Sequence, residues 1–205
     1  NLRFMEDKKL NEQESLELIT RMIQNSKRNL EVGSGNIFLL WGYLGAVVPL
    51  VIFVLVLLTK NHAWNWLWFL IPLVGWPMQY IMQKKEDKPV ITYTDKALMA
   101  VWRTIGTMGM LGVFWLCLNV DNMGLMMPGV ILVMVLGVAV TGYLIESKFM
   151  VNAAYFSFGL AMAASVICIV GEARWNLYYI LFSVCFVIML VVPGHRVNRE
   201  SNQNK

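Results

Sequence analysis

Six apolar stretches of about 20 residues, each long enough to cross the roughly 30 Å hydrocarbon core of a bilayer as an α-helix, fill nearly all of the chain after Ser34. They cover residues 36–58, 64–82, 97–118, 124–145, 150–171 and 175–192. Each stretch is bounded by charged residues, Gly, Pro or Asn. The sequence therefore predicts an all-α membrane protein, a bundle of six transmembrane helices.

Composition and pattern exclude the main alternatives. Charged residues make up 15% of the chain and hydrophobic residues 58%, whereas a soluble domain is about one-quarter charged. A transmembrane β-barrel is excluded because barrel strands alternate apolar and polar residues, and Val47 to Leu58 is apolar throughout. The loops between the stretches are short, so sequence neighbours should form antiparallel hairpins.

Positive charges predict the orientation. One side of the predicted bundle carries 14 of the Lys and Arg residues and the other carries 2, Lys60 and Arg174. The positive-inside rule then places both termini in the cytoplasm. We expect a cytoplasmic N-terminal segment (1–35), a transmembrane domain (36–193) and a polar cytoplasmic tail (194–205).

The polar N-terminal segment contains an amphipathic pattern between Asn11 and Leu30. Its apolar residues lie within about 160° of a helical wheel, and Asn11 with Glu14 fits a capping box at the start of the helix. This helix either lies on the lipid bilayer or packs under the bundle, or it docks a cytoplasmic protein partner. The residues that would form its contact surface are Leu16, Ile19, Met22 and Ile23.

Several short motifs near the start of the chain resemble a known group of proteins. They are Asn11-Glu12-Gln13-Glu14-Ser15-Leu16, Met22-Ile23, Lys27-Arg28-Asn29-Leu30, Gly33-Ser34-Gly35 and Phe38-Leu39-Leu40-Trp41-Gly42. Over residues 11–45 the chain resembles uncharacterised small bacterial multi-spanning inner-membrane proteins. The resemblance implies a bacterial inner-membrane location and implies no activity, substrate or catalytic residue.

Arg103 is the one charged residue well inside a predicted span. An ionisable residue there usually faces the bundle interior or a water-filled cavity, although a position about 12 Å into the helix also lets Arg snorkel to the headgroups. The alternative to snorkelling is an ion pair with Glu146, supported by Asn152. These three residues form the candidate intramembrane polar site.

Small and aromatic residues are also patterned. Gly106, Gly109 and Gly112 recur at three-residue spacing, which predicts close helix packing and leaves a homo-oligomer interface as an alternative. Clusters beginning at Trp64 and Trp175 occupy the outer ends of two hairpins. Aromatic rings with a polar group suit the membrane interface, and a binding cage is the alternative.

The sequence carries no enzyme signature. His62 and His195 are predicted on opposite sides of the bilayer, and the cysteines have no metal-ligand spacing, so no metal or other cofactor is expected. The charge excess follows the topology rule, so nucleic acid is not an expected partner. We expect a non-enzymatic accessory or regulatory membrane component that acts through its cytoplasmic face. The alternative is a small oligomeric transporter or channel with a polar route near Arg103.

Overall fold

The computed structural model describes residues 34–85, 93–118, 126–170 and 177–203, together with residues 13, 16, 17 and 20. Within these ranges the chain forms six helices. They are α1 (Ser34–Thr59), α2 (Leu70–Lys85, preceded by a 3₁₀ helix at His62–Phe69), α3 (Tyr93–Leu118), α4 (Met126–Leu144), α5 (Lys148–Val170) and α6 (Leu177–Phe186, Val187–Val191 and Val192–Gln203). The predicted all-α fold is confirmed.

Three helical segments of the described chain are long and apolar enough to cross a membrane, judged by length and composition. They are Gly35–Thr59, Lys148–Val166 and Tyr178–Arg199. Pro128–Leu144 is a shorter apolar helix. Five of the six helices coincide with predicted stretches and the sixth extends beyond its stretch, and the passage of all six through a bilayer stays a prediction.

Helices α1 and α6 pack closely, because glycines on α1 leave room for side chains of α6. A Cβ on Gly42 would lie 2.8 Å from Cγ2 of Val191, and a Cβ on Gly45 would overlap the ring of Phe186. Near the start of α1, Gly35 lies against Gly194 and Asn198. Small residues let helix backbones approach closely where lipid supplies no hydrophobic drive for association. Sequence analysis did not identify this glycine face.

Helices α4 and α5 form a hairpin that closes through a tight turn. Gly142 lies beside Val151, where a Cβ would stand 2.8 Å from Cγ2. Ser147 N donates to the Gly142 carbonyl at 2.8 Å, Glu146 N donates to the Tyr143 carbonyl at 3.2 Å, and Glu146 has φ 58°. This pair of bonds around a left-handed residue is the Schellman motif, which satisfies carbonyls at the end of a helix.

Helix α3 lies at the edge of the bundle and packs mainly on α4. Trp102 anchors it: Nε1 donates to Thr141 Oγ1 at 3.0 Å, and the indole meets the Phe38 ring edge-on. The expectation that Gly106, Gly109 and Gly112 mediate close packing is corrected. A Cβ on Gly106 or Gly112 would meet nothing within 4 Å, and one on Gly109 would only touch Val133 at 3.9 Å.

The last helix extends beyond its predicted end at residue 192. Pro193 has no N–H to donate, and just before it Val192 N donates to the Val187 carbonyl, five residues back, across a π-helical turn at Val187–Val191. This wider turn lets the helix continue through the proline to Gln203. Residues 194–203 of the predicted polar tail are therefore part of this helix, and Val197 is buried in the core.

Candidate functional site

The three residues of the predicted intramembrane polar site are all exposed. Arg103 lies on α3, Glu146 forms the α4–α5 turn, and Asn152 lies on the first turns of α5. Arg103 is exposed because α3 packs mainly on a single neighbour. The structure therefore differs from the expectation of an Arg103 that points into the bundle, and it does not join these residues into a buried site.

The candidate contact surface of the N-terminal helix is mostly outside the described residues. Leu16 is described and is 64% exposed, and its carbonyl accepts a hydrogen bond from Thr20 Oγ1 at 2.8 Å. Ile19, Met22 and Ile23 lie outside the described residues. The amphipathic helix stays a prediction.

The aromatic residues predicted at the outer ends of two hairpins come together in the structure. The hydroxyl of Tyr179 donates to Asn65 Oδ1 at 2.7 Å. Trp68 stacks on Tyr179 with ring centroids 6.3 Å apart, and it meets Phe182 edge-on at 5.1 Å. Trp66, in contrast, is 76% exposed. Trp68 thus packs on the core instead of forming the wall of a cage.

The described interior is packed with apolar side chains. Phe38, Ile131, Met150, Phe182 and Leu190 belong to one buried cluster. None of the buried side-chain nitrogen or oxygen atoms in the described part of the chain lacks a hydrogen-bond partner. The hydroxyl group of each buried Ser or Thr donates a hydrogen bond to the backbone carbonyl four residues earlier in the same helix. These residues are Thr141, Ser157, Ser165 and Ser183. A polar route from Arg103 through this interior is not present among these residues.

A cavity opens at the end of the bundle where α1 and α5 begin and α6 ends. Its volume is about 660 Å³, and the described residues that line it are Phe149, Val192, His195, Arg196, Asn198 and Arg199. We call it the basic groove. Val192, His195, Arg196 and Arg199 share one face of α6 because they recur at i, i+3, i+4 and i+7. The positive charges of Arg196 and Arg199 therefore lie along one wall.

Contacts to α1 and α5 hold the walls of the basic groove. Tyr43 Oη lies 2.7 Å from His195 Nε2, and Asn198 Nδ2 donates to Asn36 Oδ1 at 2.7 Å. The Arg196 guanidinium lies over the Phe149 ring, 4.6 Å from its centroid. A cation over an aromatic face is attracted by the ring quadrupole. Three helices therefore fix the side chains of this groove.

The sequence placed four of these groove residues, His195, Arg196, Asn198 and Arg199, in a predicted polar cytoplasmic tail. The available signal was the i, i+3, i+4, i+7 spacing of Val192, His195, Arg196 and Arg199, which indicates one helical face. The partners Tyr43 and Phe149 had no signal in the sequence. Tyr43 lies in the apolar stretch 36–58 and Phe149 in the short loop before residue 150, and neither has a distinctive spacing.

Two further findings concern metal-binding residues and similarity to known proteins. No group of three or more His, Cys, Asp or Glu side chains that could hold a metal ion occurs among the described residues. Comparisons with protein families, with curated proteins and with solved structures find no significant match for this chain.

Proposed function

We propose that this chain is a non-enzymatic, six-helix protein of a bacterial inner membrane and serves as an accessory or regulatory component through its cytoplasmic end. The observation that carries the proposal is the mainly apolar interior of the described bundle, in which every buried polar side-chain atom has a hydrogen-bond partner. A transporter or channel needs polar groups along a route for its substrate. A mainly apolar interior therefore favours a protein that acts through contacts on its surface.

The outer surface supports the membrane part of the proposal. Large apolar side chains are exposed on several helices, among them Leu58, Leu73, Met108, Phe114 and Phe156. Exposed apolar patches of more than a few hundred Å² are rare on soluble monomers. In a bilayer the same side chains contact lipid tails at no cost.

Helix lengths support the six-span arrangement. The 3₁₀ helix His62–Phe69 and α2, Leu70–Lys85, together extend about 40 Å, since a 3₁₀ helix rises about 2.0 Å per residue and an α-helix about 1.5 Å. Helix α3 has 26 residues, which corresponds to about 39 Å. Both lengths exceed the roughly 30 Å of hydrocarbon.

The cytoplasmic end is the surface we assign to the function. Lys148, Arg196 and Arg199 lie at this end and belong to the positive side of the charge count, which the positive-inside rule places in the cytoplasm. Helix α1 also begins here, at Ser34. The predicted amphipathic helix at residues 11–30 precedes α1 in the sequence, and we propose that a cytoplasmic partner contacts this end of the bundle.

Reconstituted vesicles test the choice between an accessory role and transport. Purified protein in liposomes should leave the permeability to ions and small dyes at the level of protein-free liposomes. A protein-dependent flux that saturates with solute concentration would overturn the proposal in favour of a transporter.

Site-specific crosslinking tests which end of the bundle contacts a protein partner. A photocrosslinking residue at Lys148, beside the groove, should capture one defined protein partner in native membranes. The same residue at Trp66, at the opposite end of the bundle, is the matched control and should not capture that partner. Capture of the partner only from Trp66 would contradict the assignment of the cytoplasmic end.

A further inference from the structure

We infer that the basic groove binds a phosphate group, as carried by the headgroup of an anionic phospholipid. The inference rests on the membrane location in the proposed function and adds a ligand to the end of the bundle assigned there. Its first support is size. The groove volume is about 660 Å³, within the roughly 300–1,000 Å³ range of small-molecule sites.

The charge of the groove matches a phosphate. Arg196 and Arg199 supply two guanidinium groups to the groove, and His195 lies on the same helical face. None of the described lining residues carries a carboxylate. The planar fork of N–H donors on Arg fits two oxygens of a phosphate at once, which makes Arg the usual side chain for phosphate recognition.

The arrangement of the groove is held before any ligand binds. Phe149 supports the Arg196 guanidinium through a face-on contact at 4.6 Å. Tyr43 holds the imidazole of His195. A preformed site loses less side-chain entropy on binding than a mobile one.

The apolar part of the lining favours a lipid as the source of the phosphate. Phe149 and Val192 form the non-polar wall of the groove, and Tyr43 and Val47 on the adjoining helix α1 are exposed. A phospholipid presents an anionic headgroup directly above its acyl chains. The groove presents charged and apolar groups in the same order, at the end of helices that are long and apolar enough to span the bilayer.

Thermal unfolding of the full chain in a neutral detergent tests the inference, with phosphatidylglycerol, phosphatidylcholine and inorganic phosphate as separate probes. Phosphatidylglycerol should raise the unfolding midpoint in a saturable way, because a ligand that binds only the native state stabilises it. Phosphatidylcholine should have a smaller effect, because its choline cation offsets the negative charge of its phosphate. Inorganic phosphate should act only at much higher concentration, since it lacks the acyl chains.

Substitutions test whether phosphatidylglycerol binds in the basic groove. Arg199→Gln should weaken the apparent affinity for phosphatidylglycerol about tenfold, which corresponds to about 1.4 kcal/mol, and adding His195→Gln should weaken it further. Arg199→Lys should restore part of the affinity, because it restores the charge without the fork of donors. Lys85→Gln removes a positive charge from the exposed end of α2 and is the matched control, expected to bind as the unaltered chain does.

The results of these experiments either support or overturn the phosphate site. An equal loss in Lys85→Gln and Arg199→Gln would overturn it, because the attraction would then be a diffuse effect of surface charge. The absence of any saturable response to phosphatidylglycerol and to phosphate would also overturn it. A response to inorganic phosphate at the same concentration, lost in Arg199→Gln, would support the phosphate site and assign it to a soluble ligand. Liposome flux is measured independently, so failure of the accessory role and failure of this site are distinguishable.

Discussion

The ring of Phe186 fills the space that a side chain on Gly45 would need. A Cβ on Gly45 would overlap ring carbons of Phe186, and Phe186 stacks on Phe182 with the ring centroids 4.5 Å apart. Both phenylalanines are almost completely buried, so neither ring has free space to move into. This contact sets how closely α1 and α6 approach, and α6 carries most of the described lining of the basic groove.

Gly45→Ala should destabilise the protein by about 1–3 kcal/mol, the usual cost of inserting a methyl group into a packed core. Thermal unfolding in detergent measures the change. Gly159→Ala is the matched control, because a Cβ at that position meets nothing within 4 Å. It should be neutral or stabilise by up to about 1 kcal/mol through higher helix propensity. Similar effects of the two substitutions would contradict the role assigned to Gly45.

Thr141→Val should destabilise the protein by about 1–2 kcal/mol. The Trp102 indole N–H donates to the Thr141 hydroxyl, and valine keeps the shape of the side chain while leaving that donor without its acceptor. Thr141→Ser keeps the hydroxyl and is the control for the hydrogen bond. If Thr141→Val were as stable as the unaltered chain in denaturation experiments, the bond would not be what anchors α3.

Glu146→Gly should be more stable than Glu146→Ala by about 1 kcal/mol, since Glu146 has a left-handed backbone conformation that glycine adopts without steric cost and alanine does not. Comparing these two variants removes any contribution of the carboxylate, because both lack it. Equal unfolding midpoints would show that the turn does not hold this backbone conformation.

Arg103→Ala should change stability by no more than about 0.5 kcal/mol, as is usual for exposed positions. Arg103 is exposed on α3, whereas the loss of one partner from a buried ion pair costs about 3–5 kcal/mol. Chemical denaturation in detergent separates these two cases. A loss of stability of about 3–5 kcal/mol would instead support the ion pair of Arg103 with Glu146 that the sequence suggested.

Single cysteines should report the orientation of the bundle. Lys85→Cys and Lys205→Cys should react with a membrane-impermeant maleimide only from the cytoplasmic side, and Lys60→Cys only from the outside. The physical reason is the bias of Lys and Arg toward one set of loops. The unaltered chain is the control for its native cysteines, of which Cys185 is buried. External labelling at position 85 would reverse the orientation.

Most helix positions could be predicted from the sequence, because the length of an apolar stretch is a local property. The predicted stretch 36–58 became α1, Ser34–Thr59, and 150–171 became α5, Lys148–Val170. Helix α6 was the exception. Its continuation past Pro193 depends on a π-helical turn, and composition gives no signal for such a turn.

The all-helical class, the approximate helix bounds and the charge asymmetry between the two ends follow from the amino-acid sequence, because hydropathy and charge are properties of each segment alone. Which small residues pack closely depends on how the helices pair, and the contacts occur at Gly42 and Gly45 but not at Gly106 and Gly112. The tertiary structure also brought Tyr43, Phe149 and His195 together from three helices. Helices of similar apolarity offer many equivalent pairings, and the choice among them depends on the fit of side chains across each interface.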